Sequence, residues 1–142
     1  MRCPRLIAAS LLGSALAARA SPIIFDCPRM IDIEQTTHAS DRKWELVPDQ
    51  GLPPAALLTV AVYTQHPSDA GNLVPDQNER TAETETTSWR LPRDSAPYWV
   101  ACVYANSRIL LAKQVPIEAK QCRLTEALHD QKTSGVLSFV CE

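Results

Sequence analysis

Apolar residues recur at every second position through much of this chain, and that period of two predicts strands. Between Ile23 and Gln35, Ile31 and Ile33 alternate with Asp32 and Glu34, and Cys27 shares the apolar parity. One strand with one wet face is expected there, with the Cys27 sulfur on the buried side. Thr36–Lys43 reads as a polar loop, Trp44–Val47 as a short strand stopped by Pro48, and Gln50–Pro54 as a connection. Ala55–Thr64 is apolar in both parities. Its run Thr59-Val-Ala-Val-Tyr63 favours strand over helix, and a strand covered on both faces is expected. His66–Thr81 is the longest polar segment and reads as a surface loop, the best place for a partner site. Its Leu73-Val-Pro-Asp-Gln77 repeats Leu46-Val-Pro-Asp-Gln50, which we read as reused Pro-Asp turn chemistry, because the flanking residues share nothing. Glu83–Leu91 is a threonine-rich strand ending in Trp89, with Thr84, Thr86, Ser88 and Arg90 facing water.

Ala96–Tyr104 is the densest aromatic and β-branched run and should be the central buried strand. A tight turn at Asn106-Ser107 then sets a register in which Cys102 opposes Leu111, Tyr98 opposes Val115 and Ala101 opposes Ala112. Both faces of that hairpin are largely apolar, so both strands are expected in the interior of a sheet. Gln121–Leu128 and Gly135–Cys141 form the last hairpin through a turn at His129–Ser134. Setting Cys122 opposite Cys141 places Leu124 against Phe139, Glu126 against Leu137 and Leu128 against Gly135. One face then collects Cys122, Leu124, Leu128, Leu137, Phe139 and Cys141. Together these elements predict an all-β fold, a small antiparallel barrel or sandwich of about seven or eight strands with two disulfides.

Residues 1–20 do not belong to that pattern. Arg2 and Arg5 precede an apolar run, Leu6–Ala18, too short to span a bilayer, and Ala18-Arg19-Ala20 offers a small-x-small cleavage pattern before Ser21. We expect a signal peptide at 1–20 and a single domain at 21–142, periplasmic or secreted, with no later membrane span. Removing Arg2, Arg5 and Arg19 from 14 basic residues leaves 11 against 16 acidic ones, a net charge of −5. That balance offers no footprint for nucleic acid.

Cys3 leaves with the signal, so Cys27, Cys102, Cys122 and Cys141 remain. An even count in an exported chain implies disulfides with three connectivities open. The apolar alignment of the last hairpin favours Cys122–Cys141, a bridge contributing about 3 kcal/mol, and leaves Cys27–Cys102. The wide spacing of the cysteines argues against zinc. His38, His66 and His129 are scattered, and no H-E-x-x-H, G-x-S-x-G, P-loop or dinucleotide fingerprint occurs. No catalytic, cofactor or metal residues are assigned. Among the carboxylates Asp32, Glu34, Glu83 and Glu85, the last two share a strand face about 7 Å apart. A solvated face explains them better than glycoside chemistry. Trp44, Trp89, Trp99, Tyr98 and Tyr104 read as core.

Cys27-Pro28 after the signal, Trp44, Leu73-Val-Pro-Asp76, Trp89, Tyr98-Trp99-x-x-Cys102-x-Tyr104, Cys122 and Cys141 together resemble a family of small exported bacterial proteins. That family is catalogued under an enterobacterial locus tag and is without an established function. The resemblance implies Gram-negative export and two disulfides, and carries no catalytic residue. A fainter likeness is to periplasmic lysozyme inhibitors, small disulfide-tied β barrels. The expected function is a non-enzymatic binding, inhibitor or immunity module acting on a protein or envelope component. The alternatives are a small envelope hydrolase using dispersed carboxylates, or a structural accessory subunit of an envelope assembly.

Overall fold

The computed structural model describes residues 21–34 and 53–142. The expected signal peptide at 1–20, the loop expected at Thr36–Lys43, the strand expected at Trp44–Val47 and the first copy of the Leu-Val-Pro-Asp-Gln repeat lie outside the described residues. The strands are β1 (Ile23–Ile24), β2 (Met30–Ile31), β3 (Ala55–Thr64), β4 (Gln77–Arg80), β5 (Thr84–Arg90), β6 (Tyr98–Tyr104), β7 (Leu110–Gln114), β8 (Gln121–His129) and β9 (Lys132–Cys141). They form two antiparallel sheets, ordered β1-β9-β8-β5-β4 and β2-β3-β6-β7. Of the two architectures expected, the sandwich is the one observed.

Alternation along the strands builds the core. The first sheet turns in Trp89, Cys122, Leu124, Phe139 and Cys141; the second turns in Val60, Val62, Tyr98, Val100, Cys102 and Tyr104. Facing sheets pack through interdigitated inner side chains of this kind, and each large apolar side chain fully buried contributes about 1.5–3 kcal/mol. Phe139 sits at the centre, with the Phe25 ring edge-on at 5.8 Å and the Trp89 ring at 6.2 Å. The buried phenols are satisfied: Tyr98 donates to the Pro92 carbonyl at 2.9 Å and Tyr104 to the Pro28 carbonyl at 2.8 Å. Both disulfides have the expected partners, Cys27–Cys102 and Cys122–Cys141.

The β6–β7 register is the one expected, with Cys102 opposite Leu111 and Ala101 opposite Ala112. The Val115 N–H extends it by donating to the Tyr98 carbonyl. Its position in the sheet is not the one expected. β6 is interior, between β3 and β7, but β7 is an edge strand and every one of its residues is exposed. Trp99 is only half-buried, against His66 at 4.7 Å, so it belongs to the outer face and not to the core.

Three further expectations are corrected. Ile23–Gln35 is not one strand. Its first residues pair with β9 and Met30–Ile31 pairs with β3, so the segment crosses between sheets, and Phe25 and Cys27 enter the core on the way. Cys27, bonded to β6, anchors the crossing, and Pro28 supplies no backbone donor to continue a ladder. The polar segment after His66 is not loop throughout, since Gln77–Arg80 pairs with β5 as an edge strand. In the last hairpin the pairing holds from Cys122–Cys141 to Thr125–Ser138 and then shifts twice, giving Glu126 opposite Val136 and Leu128 opposite Thr133. Each shift is a bulge that leaves one residue of β9 unpaired. The first one turns Val136 to the core and leaves Leu137 56% exposed. The turn is also tighter than expected: Asp130 and Gln131 alone close it, both with positive φ, as a two-residue hairpin requires.

β3 carries a bulge too, between Leu57 and Thr59, and Leu58 stands out at 57% exposure. Beyond it Val60 and Val62 are buried while Ala61 and Tyr63 are half-buried, so the strand is covered fully on one face only.

Candidate partner-binding surface

The carboxylates singled out in the sequence do not converge. Asp32, Glu34 and Glu83 are exposed. Glu85 instead lies opposite Glu126 in the β5–β8 ladder, a pairing of two acids that spacing along one strand does not reveal. Each acid has its own partners. Glu85 accepts from the Arg80 guanidinium and the Asn78 amide, and these bonds hold its carboxyl below the usual glutamate range. Glu126 is the one buried charged residue among those described. Burial pushes its carboxyl up, against the lowering effect of a 3.0 Å bond from the Thr59 hydroxyl, with a further raising contribution from the Glu85 charge. Thr59 belongs to the other sheet, so this bond ties the two layers together. Neither acid lines the surface depressions of the molecule described below, and the pair reads as a structural brace.

The remaining candidates for chemistry are also occupied. All four cysteines of residues 21–142 are in disulfides, which removes the thiol nucleophile. His66 and His129 are exposed, His38 lies outside the described residues, and no group of metal-ligating side chains forms among the described residues.

The segment Gln65–Asp76 is held firmly for a connection. Thr64 N–H donates to the Gly71 carbonyl, Leu73 N–H to the Val62 carbonyl and Gln65 N–H to the Pro97 carbonyl. The Trp89 indole donates to the Leu73 carbonyl at 3.0 Å. Asp76 accepts from the Arg90 backbone and guanidinium, and these bonds hold its carboxyl below the usual aspartate range. Gly71 is required by close approach: a Cβ there would lie 2.4 Å from the Thr64 carbonyl oxygen. The product is a tied-down ridge-like segment in which Val74 is exposed and, with Leu73 and Asp76, lines a surface depression.

Along β7 and just beyond it, apolar side chains are exposed. Ile109, Leu110 and Leu111 are exposed along β7, and Ile117 follows just beyond it. Two depressions flank this edge. One, of about 260 Å³, is lined by Leu91, Tyr98, Val115 and Ile117. The other, of about 190 Å³, lies between β7 and the Phe25–Pro28 crossing and is lined by Phe25, Val100, Cys102 and Leu111. Lys113 extends over it, its Nζ 5.9 Å from the Phe25 ring centroid. Among the described residues the arrangement offers apolar surface beside a sheet edge, which can bind. The sequence reading placed the partner site in the ridge and took β7 for interior. The available signal was Lys113 inside an otherwise apolar strand, since a lone lysine is a common guard of a sheet edge.

The family model described as the Type VI secretion system Tli immunity protein matches residues 50–142. No curated protein and no solved structure matches the chain.

Proposed function

We propose that this chain, which belongs to the Type VI secretion system Tli immunity protein family, is a non-enzymatic immunity module that neutralises a secreted toxin protein by binding it in the periplasm. The carrying observation is the family match, which spans β3 to β9 and therefore most of the sandwich. The chemistry of the surface supports the same reading. The Glu85–Glu126 pair is committed to Arg80, Asn78 and Thr59, Cys27, Cys102, Cys122 and Cys141 are bridged, and apolar side chains are exposed along a strand that has no outer neighbour among the described residues. Two features support the compartment. Two disulfides need oxidising surroundings to form and persist, and residues 1–20 carry the charge, apolar run and small-residue pattern of a cleaved signal. No helix among the described residues is long and apolar enough to cross a membrane.

The test is protection. The toxin protein that this chain is proposed to neutralise is directed to the periplasm of a sensitive host, with the chain supplied whole or without residues 2–20. Survival with the whole chain and death with the truncated one is expected. Equal killing with and without the whole chain overturns the immunity reading. Equal protection by the truncated chain overturns the compartment.

A further inference from the structure

β7 is unusual for an exposed edge. Natural sheets blunt their edges with proline, bulges or charge, because unpaired backbone groups recruit another strand. Here the protection is slight: the strand runs Leu-Leu-Ala-Lys-Gln, pairs with β6 without a register shift, and has no strand on its other side among the described residues.

The phase of the ladder decides which groups are free. Val115 donates to the Tyr98 carbonyl. In an antiparallel pair, residues bonded to the neighbour alternate with residues whose backbone points away. Lys113 and Leu111 therefore bond to β6, whereas Leu110, Ala112 and Gln114 turn their N–H and C=O groups outward. Those groups are matched in geometry by the backbone of another extended chain.

The side chains select what that chain carries. An added strand places every second side chain over the depression between β7 and the Phe25–Pro28 crossing, where Phe25, Val100 and Leu111 offer an apolar floor of aliphatic size. The strand's own charges are cationic. From Arg108 through Ile117 there are Arg108 and Lys113 and no acid, in a domain that is otherwise net acidic; Asp26 lies on the far wall of the depression. A second copy is a poor occupant, because it brings the same arginine and lysine and no carboxylate to offset them.

We propose that an extended segment of the toxin, bearing apolar side chains at alternate positions and a carboxylate beside Lys113, adds to β7 as a further strand of the β2-β3-β6-β7 sheet. Strand addition of this kind draws affinity from main-chain bonds and specificity from pockets for alternate side chains. The proposal rests on the immunity reading for its partner and deepens it by naming the edge and the chemistry.

Amide hydrogen exchange tests it with the wild-type protein, alone and saturated with the toxin it neutralises. The Leu110, Ala112 and Gln114 amides should exchange rapidly in the free protein and become protected in the complex, while Leu111 and Lys113 are protected in both. Ala112→Pro removes one outward donor and leaves the β6–β7 bonds in place, because proline is tolerated on the solvent side of an edge strand. It should weaken toxin binding about 30-fold or more, through the lost bond and the ring in the path of the incoming strand. Lys113→Glu should slow association and reverse its salt dependence. Toxin binding with the three outward amides still exchanging freely, and Ala112→Pro binding within threefold of wild type, overturns the edge and leaves the immunity reading intact. A free protein that is dimeric, with those amides already protected, assigns the edge to a second copy and overturns the proposal as well. Failure of the wild-type chain to bind or neutralise the toxin is the separate failure of the immunity reading.

Discussion

Replacing Cys27 and Cys102 together by alanine should lower stability by about 4 kcal/mol, and by acting mainly on the unfolded chain. The bridge closes a loop of sequence separation 75. In the chain-entropy model that removes about 4.5 kcal/mol of conformational freedom from the unfolded state at 25 °C. The same relation gives about 3.2 kcal/mol for Cys122–Cys141, whose separation is 19. The native side of the balance should change little. Both cysteines are core residues that also line the depression beside β7, so the space left by their loss opens partly to that depression. The crossing segment also keeps its other ties: the Phe25 ring on Phe139, the Phe25 N–H on the Phe139 carbonyl at 3.1 Å, and the Tyr104 hydroxyl on Pro28. Set against a typical total of about 5–15 kcal/mol, the loss leaves a marginal fold. Urea unfolding of the wild type and the double variant under the same oxidising conditions measures it. The expected result is a lower midpoint with a steeper denaturant dependence, because an uncrosslinked unfolded chain exposes more surface. A loss below about 2 kcal/mol with unchanged slope would refute the loop-entropy reasoning. Exchange protection lost only over Ile23–Ile31 in the native state would refute it too, by showing that the bridge acts on the folded side.

Phe139→Ala should cost about 3–5 kcal/mol, since the ring is 1% exposed and packs on both Phe25 and Trp89; a thermal midpoint close to wild type contradicts the central place given to it. Gly71→Ala forces a Cβ against the Thr64 carbonyl and should destabilise by about 1–3 kcal/mol, with exchange of the Gln65–Asp76 amides rising first. Glu126→Gln tests the buried acid by its pH dependence. Burial raises the folded-state value above the ordinary 4.5, so the folded protein holds this proton more tightly than the unfolded chain does. That contribution is present at and below the ordinary value and is lost as pH rises through the raised one. Glutamine keeps an acceptor for Thr59 and cannot ionise. The variant should therefore gain stability relative to wild type as pH rises above the ordinary value, and a difference that stays flat with pH would count against a raised value. Asp76, lowered by Arg90, shifts stability in the opposite sense in both proteins and cancels in the comparison.

Part of this fold is legible in residue order because its causes are local. Alternation assigns faces on β5 and the first half of β8, where Trp89, Cys122 and Leu124 are all buried as their parity requires. Register follows wherever a short connection or a cysteine pair holds two strands in step. The β6–β7 pairing and the Cys122–Cys141 end of the last hairpin agree with expectation for that reason. The disulfide partners follow from the same alignment.

What residue order does not contain is which strand lies beside which, and three features depend on that. β7 carries leucines as an interior strand does, yet it ends its sheet because no other described segment pairs with its outer side; its exposure is a property of topology. Leu137 and Leu58 have the composition of core residues and face outward, because bulges fitted to neighbouring strands shift the parity at those points. Glu85 and Glu126 meet across a ladder that joins residues far apart in the chain. The candidate site was missed on the same ground. An open edge is an absence of neighbours, and only the assembled sheet shows where the neighbours stop.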